Sequence, residues 1–204
     1  LNNSAFSIKT FGYLYSYNFE INLIIKNCKN QSLINSQYSD KLSNILIDGE
    51  SKFNECKTSC DFDNEKSNVT LIFEQKLETC QLFFKDIKNI VSVNLSNFDT
   101  SLVTDMHMMF SGCSDLTDIN FENINTSLVR DMSYLFRECT KLQSINLTNF
   151  NTSSVIKMDY MFYNCESLKT IDLSNFDTSN VIIMRSMFNR CRQLISINLS
   201  NFDF

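Results

Sequence analysis

The sequence predicts an α/β solenoid: a right-handed coil of parallel short strands and short helices behind a β-rich N-terminal cap. Three observations predict it. One sentence recurs at a spacing of 26 residues, marked by Cys113, Cys139, Cys165 and Cys191, by Phe110, Phe136, Phe162 and Phe188, and by Met106, Met132, Met158 and Met184. Each copy changes hydrophobic period partway, from strand-like alternation at Ile119 and Phe121 to a period of three to four across Val103, Met106, Phe110 and Cys113. A unit this short cannot bury its own apolar face and must stack on its neighbours.

Residues 1–67 do not repeat. They carry strand-like runs at Phe19–Ile25 and Asn44–Ile47, with Gly49 placed to turn the chain, and a polar stretch from Asn27 to Asp40 that reads as loop. This segment is expected to cover the open end of the stack. A degenerate first copy follows over about residues 68–93, with Cys80 in the Met106 slot, Phe83 and Phe84 in the Met109 and Phe110 slots, and Ile87 in the cysteine slot. Val69–Phe73 is expected to supply its strand. The clear copies then run to Phe204. In each, Leu116, Leu142, Leu168 and Leu194 open the strand, and a Thr-Ser pair such as Thr126-Ser127 stands where a helix N-cap is expected. Phe98, Ile124, Phe150, Phe176 and Phe202 should form one internal column. The domain division is therefore 1–67 for the cap and 68–204 for the repeats.

Composition narrows the function. Apolar residues make up 43% of the 204 and charged residues 20%, which is globular usage. The net charge is −5 with both signs interspersed, so nucleic acid is not expected as a partner. No apolar run reaches the length that spans a bilayer, and any membrane contact is expected through an anchor outside this chain. The chain starts at Leu1, and all eight methionines lie between Met106 and Met187, which predicts a processed or trimmed product. It stops at Phe204 partway into a fifth copy, which predicts that the parent protein continues.

The recurring sentence, as in Leu168-Lys-Thr-Ile-Asp-Leu-Ser-Asn-Phe-Asp-Thr-Ser-Asn-Val-Ile-Ile-Met-Arg-Ser-Met-Phe-Asn-Arg-Cys191, resembles the repeat of BspA-like surface proteins, a 26-residue variant of the leucine-rich repeat. The resemblance is strong over residues 94–204 and weak over 68–93. It implies a leucine-rich-repeat-like coil and an extracellular or cell-surface protein used in binding or adhesion. It brings no catalytic residues and no cofactor. One copy departs from the pattern: Asn120-Phe-Glu-Asn-Ile-Asn125 replaces the usual Asp-Leu-Ser-Asn-Phe-Asp and places Glu122 on the polar face.

The polar positions between strand residues are the candidate partner-binding face: Asn94, Asp118, Asn120, Glu122, Ser144, Asn146, Thr148, Thr170, Asp172, Ser174 and Asn198. In a stacked-repeat protein this face suits a protein or a glycan. A merely water-facing sheet surface is the equal alternative. The cysteine column reads as small buried thiols. Cys56 and Cys60 are the candidate disulfide, with Cys28 as competitor, and a zinc site would need a fourth ligand. The one histidine, His107, shares its slot with Ser133, Asp159 and Arg185, a variability that predicts a water-exposed, non-catalytic position. Asp105 and Asp131 in adjacent copies likewise read as a water-facing pair. Sequons at Asn2, Asn30, Asn68, Asn94, Asn125, Asn146, Asn151 and Asn198 would carry glycans in a eukaryotic secreted protein. The sequence thus predicts a non-enzymatic surface binding module. The alternatives are an intracellular scaffold, or an active site within residues 1–67 or beyond residue 204.

Overall fold

The computed structural model describes residues 19–56 and 59–203. The chain opens with β1 (Phe19–Gln31), a single 3-10 segment (Ser36–Lys41), β2 (Leu42–Ile47) and β3 (Glu50–Ser51). A one-turn helix α1 (Phe53–Cys56) and the long β4 (Cys60–Phe73) follow. β1 alternates buried Ile21, Leu23 and Ile25 with less buried neighbours, the period-2 pattern of a sheet with one covered face. It therefore runs well into the stretch expected as loop. Asp48 and Gly49 both adopt positive φ, 51° and 87°, at the β2–β3 hairpin, where an Asp-Gly pair matches the twist of the flanking strands.

The strands of the repeat layers begin at β5 (Ile90–Asn97), followed by β6 (Asp118–Asn120), β7 (Thr170–Asp172) and β8 (Ser196–Asn198). One six-stranded sheet joins both parts in the order β3-β2-β4-β1-β5-β6, and β7 and β8 form a second, two-stranded sheet. β1 is antiparallel to both β4 and β5, while β5 and β6 are parallel with Val93 opposite Ile119. Val69–Phe73 is therefore not the strand of a first repeat: it is the end of β4, paired with β1 and β2.

The α/β solenoid with alternating helices is not what forms. The fold is mostly β, and no helix occurs in the repeats among the described residues. The segment expected as helix is a run of tight turns. In the unit holding Met106, the N–H groups of Met109, Ser111 and Cys113 donate to the carbonyls of Met106, Met108 and Phe110, three residues back rather than four. Two residues per unit adopt left-handed φ: Met108 and Gly112, Tyr134 and Glu138, Tyr160 and Asn164, Ser186 and Arg190. Such residues interrupt a right-handed helix. At Gly112 a side chain would also collide with Asp86.

The alternate N–H groups are thereby turned out of the unit and onto the next. Those of Met106, Met108, Phe110 and Gly112 donate to the carbonyls of Asp131, Ser133, Leu135 and Arg137 at 2.8–3.0 Å. The same four-bond pattern links Cys80–Asp86 to the following layer, Met132–Glu138 to the next, and Met158–Asn164 to the last. So the 26-residue units do stack, as layers, but they are tied by cross-layer hydrogen bonds instead of being closed by helices. The N-terminal segment lies over the first layer: Asn35 N–H donates to Phe83 O at 2.8 Å, and Tyr38 packs on the Phe83 ring at 4.5 Å.

The core is a set of columns. Phe84, Phe110, Phe136, Phe162 and Phe188 stack in succession with centroids 5.4–5.7 Å apart. Phe98, Ile124, Phe150 and Phe176 are buried in the expected second column. The Cys113, Cys139 and Cys165 side chains are fully buried, and each thiol donates to a phenylalanine carbonyl of the preceding layer (Phe84, Phe110 and Phe136) at 3.1–3.3 Å. Burial pushes these thiols far above their ordinary pKa, so they sit in the core as neutral hydrogen-bond donors.

Candidate binding surface

The repeated sentence spends most of its polar residues on architecture. Asn94, Asn120, Asn146, Asp172 and Asn198 each accept, through Oδ1, the N–H two residues on at 2.9–3.2 Å. They cap the turn that ends each strand. Asp99, Asn125, Asn151 and Asp177 do the same for the serine two residues on. Asn123 and Asn149 reach back to the preceding layer and donate to the carbonyls of Ser96 and Glu122. The threonine expected as a helix cap is buried. Thr126 Oγ1 donates to Asn151 O at 2.8 Å and accepts Asn151 N–H at 2.8 Å, and Thr100 and Thr152 repeat the arrangement.

These bonds carry a pH dependence. Hydrogen bonds from the Ser174 hydroxyl and backbone hold the Asp172 carboxyl below its ordinary pKa, and Ser179 does so for Asp177. At Asp131 burial pushes upward, but bonds from Ser133 and Lys157 outweigh it and the net shift is downward. A lowered folded pKa adds stability above the unfolded value and loses it as pH falls through the folded one. The thermal midpoint should therefore hold above about pH 5 and fall below about pH 4. A midpoint unchanged down to about pH 3 would contradict this reading.

Most of the strand-face residues fall into three sets, with Asn146 in two of them. Asp118, Asn120, Glu122 and Asn146 come together with Phe121 and Asn149 around a surface groove of about 460 Å³. Thr170 and Asp172 lie on β7, where Asp172 pairs in register with Asn198 of β8. Ser144, Asn146 and Thr148 are exposed but fall outside any strand, because the parallel ladder is interrupted there. The interruption sits beside the departing copy. Phe121 takes the place held by Leu95, Leu147 and Leu173, and Ile124 takes the phenylalanine place. The exchange conserves core volume while moving a ring to the strand side. That ring meets Phe150 edge-on at 5.0 Å. Asp118 and Glu122 are exposed at the groove and make no ion pair among the described residues.

The His107 slot is not the water-exposed row that the sequence suggests. Ser133 and Asp159 are buried, with Arg185 bonded to Asp159 at 3.1 Å, and His107 is partly buried with Nδ1 3.8 Å from Asp131. Asp105 Oδ1 accepts the His107 N–H at 2.7 Å, and Asp131 is held by Lys157 at 3.1 Å. Both carboxylates thus belong to the turns rather than to a free acidic pair. Cys56 and Cys60 are joined as a disulfide with Cα atoms 4.9 Å apart, and Cys28 is free. Asn2 lies outside the described residues.

One feature escaped sequence reasoning. Tyr134 and Tyr160 stack at 4.9 Å, His107 meets Tyr134 at 5.5 Å, and Tyr163 meets Tyr160 at 5.6 Å. Arg137 and Arg190 lie against the Tyr163 ring at 5.8 and 5.5 Å. The aromatic occupants at successive spacings of 26 were the available signal, but they stood among apolar positions assigned to a helix.

Stacked layers, a hydrogen-bonded polar sentence and variable side chains between them define a repeat protein built from 26-residue layers. Residues 78–202 match the family described as "Mycoplasma protein of unknown function, DUF285", and the chain belongs to that family, which is associated with BspA-like surface proteins. No curated protein and no solved structure matches the chain.

Proposed function

We propose that the chain is a non-enzymatic binding or adhesion module at the cell surface or outside the cell. It recognises a protein or glycan through the outer surface of its repeats. The observation that carries this reading is the division of labour within each unit. The polar residues common to the units are committed to hydrogen bonds that fix the layers, while three slots, those of Asp118, of Glu122 and of Arg137 with Tyr163, change occupant from layer to layer. A fixed frame with interchangeable surface residues suits recognition. The family's association with surface proteins supports the location, and the Cys56–Cys60 disulfide fits an oxidising compartment.

The intracellular-scaffold alternative draws on the free thiols Cys80, Cys113, Cys139 and Cys165, but their burial protects them in either compartment. Among the described residues no helix is long and apolar enough to cross a membrane. The test is antibody labelling of intact source cells, combined with binding of the purified chain to other cells and matrix. Surface labelling with saturable binding is expected. Labelling only after permeabilisation, without saturable binding, would sink the proposal.

A further inference from the structure

Recognition by this frame must fall to residues that the layers do not consume, and the tyrosine ridge stands out among them. Tyr134 and Tyr160 occupy left-handed backbone positions, φ 61° and 53°, that Met108 and Ser186 fill in the layers on either side. A large aromatic there is not chosen for backbone comfort. Both rings are only partly buried, as are Tyr163 and Arg137, and Arg190 is exposed.

The arrangement of the rings selects the partner's chemistry. Tyr134 and Tyr160 face each other at 14° between planes, and His107 stands edge-on against Tyr134. Tyr163 has guanidinium groups from two layers against its ring. A sugar stacks on an open aromatic face, and here Tyr134 and Tyr160 cover each other while two guanidinium groups lie over Tyr163. What the ridge still offers is positive: ring edges, phenol O–H groups and the N–H groups of the two guanidinium groups. Arg137 is paired with Glu138 at 2.6 Å, whereas Arg190 has no carboxylate partner among the described residues. Donors of this kind match carboxylates, and Arg190, held against the Tyr163 ring, keeps its fork free for a bidentate pair. Tyrosine and arginine are also the residues that dominate protein–protein binding energy.

We propose that the ridge of Tyr134, Tyr160, Tyr163, Arg137 and Arg190 docks an acidic segment of a protein partner, one carrying closely spaced Asp or Glu side chains. The proposal rests on the reading of the chain as a binding module and names the class of partner.

The test uses the whole chain and a fluorescein-labelled peptide alternating Glu and Ser, read by anisotropy against the same peptide with Gln for Glu. The Glu peptide is expected to bind, to weaken with added salt, and to exceed the Gln peptide in affinity. Arg190→Gln combined with Tyr163→Ala should lower the affinity at least about tenfold. Lys66→Gln, the same charge change on an exposed residue of β4, should leave it unaltered. Arg190→Glu, at an exposed site, is the second variant should the double substitution disturb folding, and it should abolish binding. No binding of the Glu peptide, equal binding of the Gln peptide, or full affinity in both ridge variants would overturn the proposal. The same variants in the cell-binding assay separate the two readings. Wild-type chain that binds no cells sinks the binding module itself. Ridge variants that bind cells as well as wild type sink the ridge alone.

Discussion

Replacing Phe162 by alanine is expected to destabilise the protein by roughly 3–5 kcal/mol. Phe162 is fully buried, and its ring lies between those of Phe136 and Phe188, each 5.4 Å away. The cavity would open in the middle of a column whose neighbours are fixed by cross-layer hydrogen bonds, so little collapse can refill it. The adjacent Tyr163 is the control. It is partly buried at the surface, and Tyr163→Ala removes an edge contact and two cation–π contacts, at a cost of about 1 kcal/mol. Urea unfolding of both variants measures the difference. Equal losses would mean that the register of inward and outward positions is wrong.

The second large effect is expected at Thr126→Val. The shape is nearly conserved, but the hydroxyl both donates to and accepts from the Asn151 backbone, and the threonine is 1% exposed. Valine leaves an N–H and a carbonyl unpartnered between two layers, and each such group costs about 1–3 kcal/mol. Ser127→Ala, one residue along, loses only a partly exposed hydroxyl bond to Asn125 and should cost about 1 kcal/mol or less. An unchanged unfolding midpoint in Thr126→Val would show that the threonine column does not tie the layers.

How far the sequence could be read depended on which interaction each residue serves. The spacing of 26 and the inward columns were legible because burial is written in apolar identity: Phe110, Phe136, Phe162 and Cys139 lie where the periodicity puts them. The helix was misread because a period of three to four is shared by a helix and by successive three-residue turns. What separates them is left-handed φ at Met108, Tyr134 and Tyr160, residues with no compositional mark of that conformation. The polar sentence was legible as a pattern but not as a purpose. Asn146 and Asp172 stand among the candidate contact positions, and what the sequence did not show is that their Oδ1 atoms also close turns; Thr126 read as a helix cap, yet it bridges layers. The ridge was illegible because Tyr134, Tyr160 and Tyr163 are brought together only by stacking across layers.

Hydrogen exchange resolved to single amides tests the central claim most directly, that turns turned outward onto the next layer hold the repeats together. The amides of Met132, Tyr134, Phe136 and Glu138, and of Met158, Tyr160, Phe162 and Asn164, should exchange slowly, because each donates to the following layer at 2.8–2.9 Å. In a protein of these 204 residues alone, Met184, Ser186, Phe188 and Arg190 occupy the same slots without such an acceptor among the described residues, and they should exchange fast. Uniform protection through both sets, as a helix in each unit would give, would contradict the account.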